Sequence, residues 1–127
     1  MGIVYNGSMA YLSITVDHIQ DVDIFEQAGA EEFIFALKES CFTSAKLFTK
    51  EDLIHLKQGK MKKRKMAILM NRLFSQFDIL QAQKDLEDLL KAGIESILFS
   101  DPGLLKKAKE LGKMECMIYS PETLVTS

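Results

Sequence analysis

Short apolar runs alternate with helix-like patterns along most of this chain. Five of these runs are rich in β-branched or aliphatic residues and predict strands at residues 11–16, 32–37, 65–70, 94–99 and 115–119. Between them, hydrophobic residues recur at three- and four-residue steps, which predicts four helices. The clearest helix, over 77–91, has an apolar face formed by Ile79, Leu80, Ala82, Leu86, Leu89 and Leu90. The polar stretch 38–48 has no period and is predicted to be a loop.

The order of these elements is strand–helix repeated four times, followed by one more strand. Connections of this length favour parallel pairing through right-handed crossovers. The segments QAGAEEFIF (27–35) and KAGIESILF (91–99) repeat one arrangement, in which Ala-Gly ends a helix and a buried strand follows. We therefore predict a single α/β domain over 11–127, built as part of a (β/α) barrel or as a flavodoxin-like, doubly wound five-stranded sheet. Residues 1–10 form either an ordered leader or a frayed N-terminus.

Composition excludes several classes of protein. With 127 residues, 47% hydrophobic and 27% charged, the chain has the size and balance of one globular domain. No apolar run approaches the roughly 18–20 residues needed to span a bilayer, and the N-terminus lacks the basic region of a secretory signal. The net charge of −2 does not indicate nucleic acid or membrane as a partner. We expect a cytoplasmic protein with no membrane partner, in which Cys41 and Cys116 are reduced thiols.

Chemistry in a parallel β/α sheet gathers at the carboxyl ends of the strands. The polar residues at these positions are Asp17, Lys38, Glu39, Asn71, Arg72, Ser100, Asp101, Ser120 and Glu122. Arg72 is the best anion ligand among them, because its guanidinium is planar and permanently charged. Asp101 suits the N-cap of the fourth helix, with Pro102 at the first helical position. Glu122 is either a catalytic acid or base, or a solvated loop carboxylate.

Other reactive residues favour structural interpretations. His18 and His55 have no cysteine or histidine at ligand spacing, so we expect no metal site. Cys41 follows the second strand without a nearby histidine to lower its pKa, which favours an inert thiol. The basic run 57–65 has the charge to contact RNA phosphates. It precedes the third strand, however, and is predicted to lie at the opposite end of the sheet as a solvated helix end.

Several segments resemble a known family. The run DPGLL (101–105), followed by IYSPETLVT (118–126), resembles the N-terminal region of the collagenase-like peptidases, family U32. So do the Ala28-Gly29-Ala30 turn and the position of Asn71 after the third strand. The resemblance covers roughly residues 11–127. It implies a (β/α) barrel domain of which this chain supplies the first half, that is, half of a TIM-type barrel.

The resemblance also implies a function. Some family members are proteases, and others take part in hydroxylation of tRNA wobble uridine, ribosomal RNA or quinones, some with a cysteine-bound iron–sulfur cluster. The family's cysteine-rich signature lies downstream of this sequence, so we expect no cofactor in this chain and no activity of the chain alone. We expect a protease or hydrolase with catalytic candidates Glu122 and Asp101, and with substrate contacts from Asn71, Arg72, Ser100 and Ser120.

Two alternatives stay open at this stage. One is a tRNA (wobble uridine) hydroxylation factor, so that the substrate is either peptide or tRNA. The other is a non-catalytic binding or assembly module. A half-barrel has open edges, which predicts a homodimer through them.

Overall fold

A computed structural model describes residues 2–6, 9–38, 40, 46–72, 76–94, 96–112 and 115–118. The strands are β1 (Gly2–Asn6), β2 (Met9–Thr15), β3 (Glu32–Leu37), β4 (Leu47–Phe48), β5 (Lys65–Met70), β6 (Ser96–Phe99) and β7 (Glu115–Ile118). The helices are α1 (Val22–Gln27), α2 (Lys50–Gln58), α3 (Gln76–Lys91) and α4 (Pro102–Glu110), and a 3₁₀ turn (Ile19–Asp21) leads into α1.

The strands form one seven-stranded sheet. Five of them, which are joined in sequence by helical connections, pair in parallel. Their order in space, β2-β3-β5-β6-β7, is their order along the chain. This confirms the predicted parallel α/β architecture. Consecutive strands of a (β/α) barrel follow one another in the same way, whereas a doubly wound sheet reverses its order at a switch point. The described strands show no such reversal.

The four helices cover one face of the sheet. Val22 of α1, Leu53 of α2, Leu86 of α3 and Leu104 of α4 are fully buried and belong to one hydrophobic core cluster with Phe35 of β3. Side chains alternate between the two faces of a strand. The opposite face therefore carries a second, smaller apolar cluster, formed by Ile34, Ala36, Ala67, Leu69 and Leu98. In a (β/α) barrel the face without helices is the inside, so we refer to this second face as the inner face of the sheet.

Helix ends follow the signals in the sequence. The hydroxyl of Thr49 accepts a hydrogen bond from the backbone N–H of Asp52 (3.1 Å), which caps the start of α2. Gly29 and Gly93 follow α1 and α3 with φ of 105° and 96°. Only glycine adopts this conformation without strain, so both Ala-Gly pairs end a helix for the same reason.

Three features differ from or add to the predicted elements. β1 pairs antiparallel with β2, and it lies in the segment 1–10 that was predicted as either an ordered leader or a frayed N-terminus. The segment predicted as a loop ends in the two-residue strand β4, which pairs with the carboxyl end of β3. Leu80 is 59% exposed, so the prediction that it belongs to the apolar, core-facing side of α3 was wrong. The buried positions Ala82, Leu86 and Leu89 set that face, and Leu80 points away from it.

Candidate functional site

Two pairs of polar residues lie side by side at the carboxyl edge of the sheet. Met70 of β5 and Phe99 of β6 are direct neighbours in the parallel register. Asn71 and Arg72 continue the chain from Met70, while Ser100 and Asp101 continue it from Phe99. Because the two strands end level with each other, these four sequence-predicted residues share one stretch of the edge. We refer to Asn71, Arg72, Ser100 and Asp101 as the carboxyl-edge site.

Arg72 supplies the positive charge of the carboxyl-edge site. Its backbone N–H donates to the carbonyl of Ser40 (3.1 Å), which connects the end of β5 to the segment after β3. Its guanidinium Nη2 lies 3.5 Å from Oδ2 of Asp78 in the first turn of α3, and both side chains are more than one-third exposed. An exposed ion pair of this length is weak.

Asp101 has a structural task within the carboxyl-edge site. Its Oδ1 accepts a hydrogen bond of 2.7 Å from the backbone N–H of Gly103, and Pro102 occupies the first turn of α4. The residue is 9% exposed. This is the N-cap arrangement that the Asp-Pro-Gly sequence predicts. The hydrogen bond from Gly103 thus gives Asp101 a capping role at the start of α4.

A polar pocket lies farther along the same edge, beyond β3. It has a volume of about 270 Å³ and is lined by Leu37, Lys38, Thr49, Lys50, Glu51, Gln81 and Asp85. The ammonium of Lys50 lies 2.7 Å from Asp88 Oδ2 and 3.2 Å from Asp85 Oδ1, so it joins the start of α2 to α3. The hydrogen bond to Asp88 raises the pKa of Lys50, and the same bond lowers the pKa of Asp88. Lys50 is thus a fixed cation in the wall of this pocket.

The remaining candidates fall into two groups. Glu39, Cys41, Ser120 and Glu122 lie outside the described residues. Asp17 is described, and its Oδ1 accepts a hydrogen bond from the backbone N–H of Lys46 (3.0 Å), which holds the chain before β4. Within the described part of the chain, no group of three or more histidine, cysteine or acidic residues is arranged to hold a metal ion.

The basic run lies at the amino end of the sheet, and much of its charge is engaged by this chain. Arg64 makes a two-pronged contact with Glu26 (2.9 and 3.2 Å) and donates to Asp23 (2.7 Å), joining the segment before β5 to α1. The Lys57 ammonium donates to the carbonyl of Arg64 at 2.8 Å. Lys62 and Lys63 are exposed. The run is therefore mainly an anchor between elements.

A buried polar cluster that the sequence analysis did not single out lies at the amino end of the inner face. Glu32 is fully buried, and its Oε1 accepts a hydrogen bond from Ser13 (3.1 Å). The Lys65 ammonium lies 3.4 Å from Oε2 of Glu32 and 3.5 Å from Oε2 of Glu115, which also accepts from Ser96 (3.4 Å). We refer to these five residues as the amino-end cluster. Lys65 thus forms ion pairs with two carboxylates of this cluster, Glu32 and Glu115.

Burial dominates the chemistry of the amino-end cluster. The contact between Lys65 and Oε2 of Glu32 lacks hydrogen-bond geometry, so this buried oxygen accepts no hydrogen bond. Burial raises the pKa of Glu32, opposed by the nearby Lys65 and the hydrogen bond from Ser13. The signal in the sequence is the spacing of Glu32, Ile34 and Ala36, which places the carboxylate on the inner face. An isolated glutamate at the start of a strand does not reveal this without the register.

Burial also raises the pKa of the Cys116 thiol, which packs partly against the core beneath the helices. This environment disfavours the thiolate and hence nucleophilic chemistry. It agrees with the sequence-based interpretation of Cys116 as a structural residue.

A family of known proteins matches most of the chain. The family model described as Peptidase family U32 matches residues 17–127, which includes every strand from β3 onward and all four helices. No curated protein and no solved structure matches the chain. Among the described helices, none combines the length and apolar character required to cross a membrane.

Proposed function

Because the chain belongs to peptidase family U32, we propose that it forms the substrate-binding half of a peptidase-type barrel and binds peptide at the carboxyl-edge site. The observation that carries this proposal is the level ending of β5 and β6, which brings Asn71 and Arg72 beside Ser100. Sites on parallel β/α sheets form at this edge because side chains of neighbouring strands converge there.

The residue types suit a peptide ligand. The guanidinium of Arg72 matches a carboxylate in a two-pronged hydrogen-bonded geometry, whether the carboxylate is a peptide C-terminus or an acidic side chain. The amide of Asn71 and the hydroxyl of Ser100 have both donors and acceptors for a peptide backbone. Asp101 holds the first turn of α4 in place beside them.

Binding is separable from hydrolysis in this proposal. We assign the described residues of the carboxyl-edge site to binding. Glu122, the catalytic candidate of this chain, lies outside the described residues. We propose that the chain alone binds peptide without hydrolysing it efficiently.

The binding step is tested with a fluorescent gelatin-derived peptide and anisotropy titration. Arg72→Met is expected to weaken binding by about tenfold or more, equivalent to about 1.4 kcal/mol, because a charge-assisted contact is lost. Lys63→Met is the matched control, since it removes one positive charge at the opposite end of the sheet. Equal weakening by both variants, or none by Arg72→Met, would contradict the proposed site.

The hydrolysis step is tested with intact gelatin and the purified chain in the presence of inhibitors of host proteases. We expect no cleavage above background. Cleavage that persists under these inhibitors and disappears in Glu122→Ala would overturn the binding-only proposal and favour Glu122 as a catalytic acid or base.

The alternatives predict other results. A tRNA hydroxylation factor should bind tRNA in a salt-sensitive way that depends on Arg72 or on Lys62 and Lys63. An assembly module should bind neither peptide nor tRNA and should form the homodimer predicted from the open half-barrel. The internal contacts of Arg64 and Lys57 leave less of the basic run available to RNA, which favours the peptide proposal over the tRNA alternative.

A further inference from the structure

An open pocket with a basic lining lies at the amino end of the sheet, beside the end of α1 and the turn that follows α2. It has a volume of about 460 Å³ and is lined by Glu26, Gly59, Lys60, Lys62, Lys63 and Arg64. We refer to it as the basic pocket. Its volume is within the range of small-molecule sites, which is about 300–1,000 Å³. Four cations and one carboxylate line it, in a chain whose net charge is −2.

The turn that carries the lysines of the basic pocket is anchored on both sides. Met61 is fully buried, and its backbone N–H donates to the carbonyl of Leu56 (2.8 Å). Nη1 of Arg64 donates to the carbonyl of Lys60 (3.3 Å), which closes the turn. The two lysines between Met61 and Arg64 therefore project from a backbone that is held in place before a ligand arrives. Such preorganisation lowers the cost of binding.

Two of the four cations in the basic pocket are not neutralised by the chain. Arg64 is paired with two carboxylates of α1, and the Lys60 ammonium lies 3.8 Å from one of them. Lys62 and Lys63 are exposed, and within the described part of the chain their ammonium groups form no ion pair. The two carboxylates balance Arg64 and Lys60, which leaves the two positive charges of Lys62 and Lys63. Neighbouring uncompensated charges attract an anion in proportion to its own charge.

We propose that the basic pocket binds a small phosphate monoester, with Lys62 and Lys63 as the principal contacts of its phosphate. Such a phosphate has about two negative charges at neutral pH and three acceptor oxygens. It therefore matches the two uncompensated ammonium groups, and lysine binds phosphate as a point charge. The volume of the pocket leaves room for the organic part of the ligand. The proposal is independent of peptide binding at the carboxyl-edge site.

The distribution of charge favours a small ligand over an RNA strand. An RNA strand gains affinity by contacting several successive phosphates. Beyond the basic pocket, Lys57 donates to the carbonyl of Arg64 (2.8 Å) and Lys65 lies between two carboxylates of the amino-end cluster. These neighbouring cations are engaged within the chain, so the uncompensated charge is confined to one place.

The proposal is tested by titrating the ¹⁵N-labelled full chain with adenosine 5′-monophosphate in a phosphate-free buffer of constant ionic strength. We expect saturable amide shift changes over residues 59–64, and none of this kind with adenosine, which lacks the phosphate. The double variant Lys62→Met, Lys63→Met should bind the nucleotide at least tenfold more weakly. Lys106→Met with Lys109→Met is the matched control, since it removes two exposed positive charges from α4. Equal weakening by both double variants, or no saturable change, would overturn the proposal.

Two further probes distinguish the source of the phosphate. Inorganic phosphate should bind more weakly than the nucleotide, because it lacks the organic part. Equal affinity of the two would overturn the assignment of an organic ligand and favour free phosphate. An oligouridylate without terminal phosphates should fail to displace the nucleotide. Its displacement of the nucleotide, dependent on Lys62 and Lys63, would overturn the small-ligand proposal in favour of RNA.

Discussion

At the residue scale, Glu32 is the most informative side chain, because a fully buried carboxylate must be paired or protonated. Its pKa is raised above the ordinary value of 4.5, chiefly by burial, so the folded state holds a proton more tightly than the unfolded state. The contribution of Glu32 to stability is then fully present below about pH 4.5 and is lost as pH rises through the folded-state pKa.

The raised pKa of Glu32 leads to a prediction for Glu32→Gln, a variant that keeps the shape of the side chain but cannot ionise. The free energy of unfolding of the variant minus that of the natural chain should increase as pH rises from below 4.5 to neutrality. Urea denaturation at several pH values measures this difference, in which contributions from the other titrating groups largely cancel. A difference that is constant, or that falls with rising pH, would show that Lys65 compensates the carboxylate fully.

Asp101 offers a separate test at the same scale. Asp101→Ala removes the acceptor for the Gly103 N–H and should lower the free energy of unfolding by about 1 kcal/mol. Asp101→Asn retains an acceptor and should lose much less. Thermal unfolding of the three proteins measures both effects. If peptide cleavage were found and Asp101→Asn abolished it without loss of stability, the capping role would be insufficient.

At the scale of elements, α3 contains both a buried and an exposed leucine. Leu86 is fully buried in the core beneath the sheet, whereas Leu80 is 59% exposed. Leu86→Ala should lower the free energy of unfolding by about 2–5 kcal/mol through lost burial and a cavity. Leu80→Ala should change it by less than about 0.5 kcal/mol. Denaturant titration checks the pair, and similar losses in both variants would contradict the packing of α3.

The contact between α1 and the segment before β5 depends on Arg64. Arg64→Met should lower the free energy of unfolding by about 0.5–1 kcal/mol, because two partly exposed carboxylates lose their shared partner. Lys62→Met, a neighbour with the same charge, should have almost no effect. High salt should reduce the difference between the two variants, since it screens exposed charges. Denaturation at low and high salt provides the measurement.

Periodicity predicted the parallel strands and the helices because each is amphipathic over several residues or buried as a continuous run. β4 has two residues and β1 has five, and the latter lies in a segment where small and polar residues interrupt the apolar pattern. Such strands are defined by the neighbour they pair with rather than by their own sequence. The exposure of Leu80 depends on the rotation of α3, and the burial of Glu32 depends on the register of β3. Neither is encoded by the single residue.

The candidate site was accessible to prediction for a topological reason. Once parallel strands are assigned, their carboxyl ends must lie at one edge, so Asn71, Arg72, Ser100 and Asp101 could be grouped from sequence. The contacts of these side chains could not be predicted, because Asp78, which pairs with Arg72, lies in α3. The amino-end cluster likewise joins five strands. Contacts between elements far apart in sequence require the packed structure.

At the scale of the whole molecule, the two ends of the sheet differ in character. The carboxyl edge presents Arg72 and a polar pocket. The amino end uses its charges for internal contacts, through Arg64 and the amino-end cluster. In β/α folds, binding residues typically lie at the carboxyl edge of the sheet, whereas residues at the amino end typically contribute to stability. The homodimer predicted from sequence remains a prediction.

Amide chemical shifts test most directly whether peptide binds at the carboxyl edge. The ¹⁵N-labelled full chain is titrated with a gelatin-derived peptide that has a free C-terminal carboxylate. We predict saturable shift changes concentrated at the carboxyl-edge site, with little change over residues 57–65. Saturable binding whose shift changes cluster at Lys62 and Lys63, and spare the carboxyl edge, would contradict it.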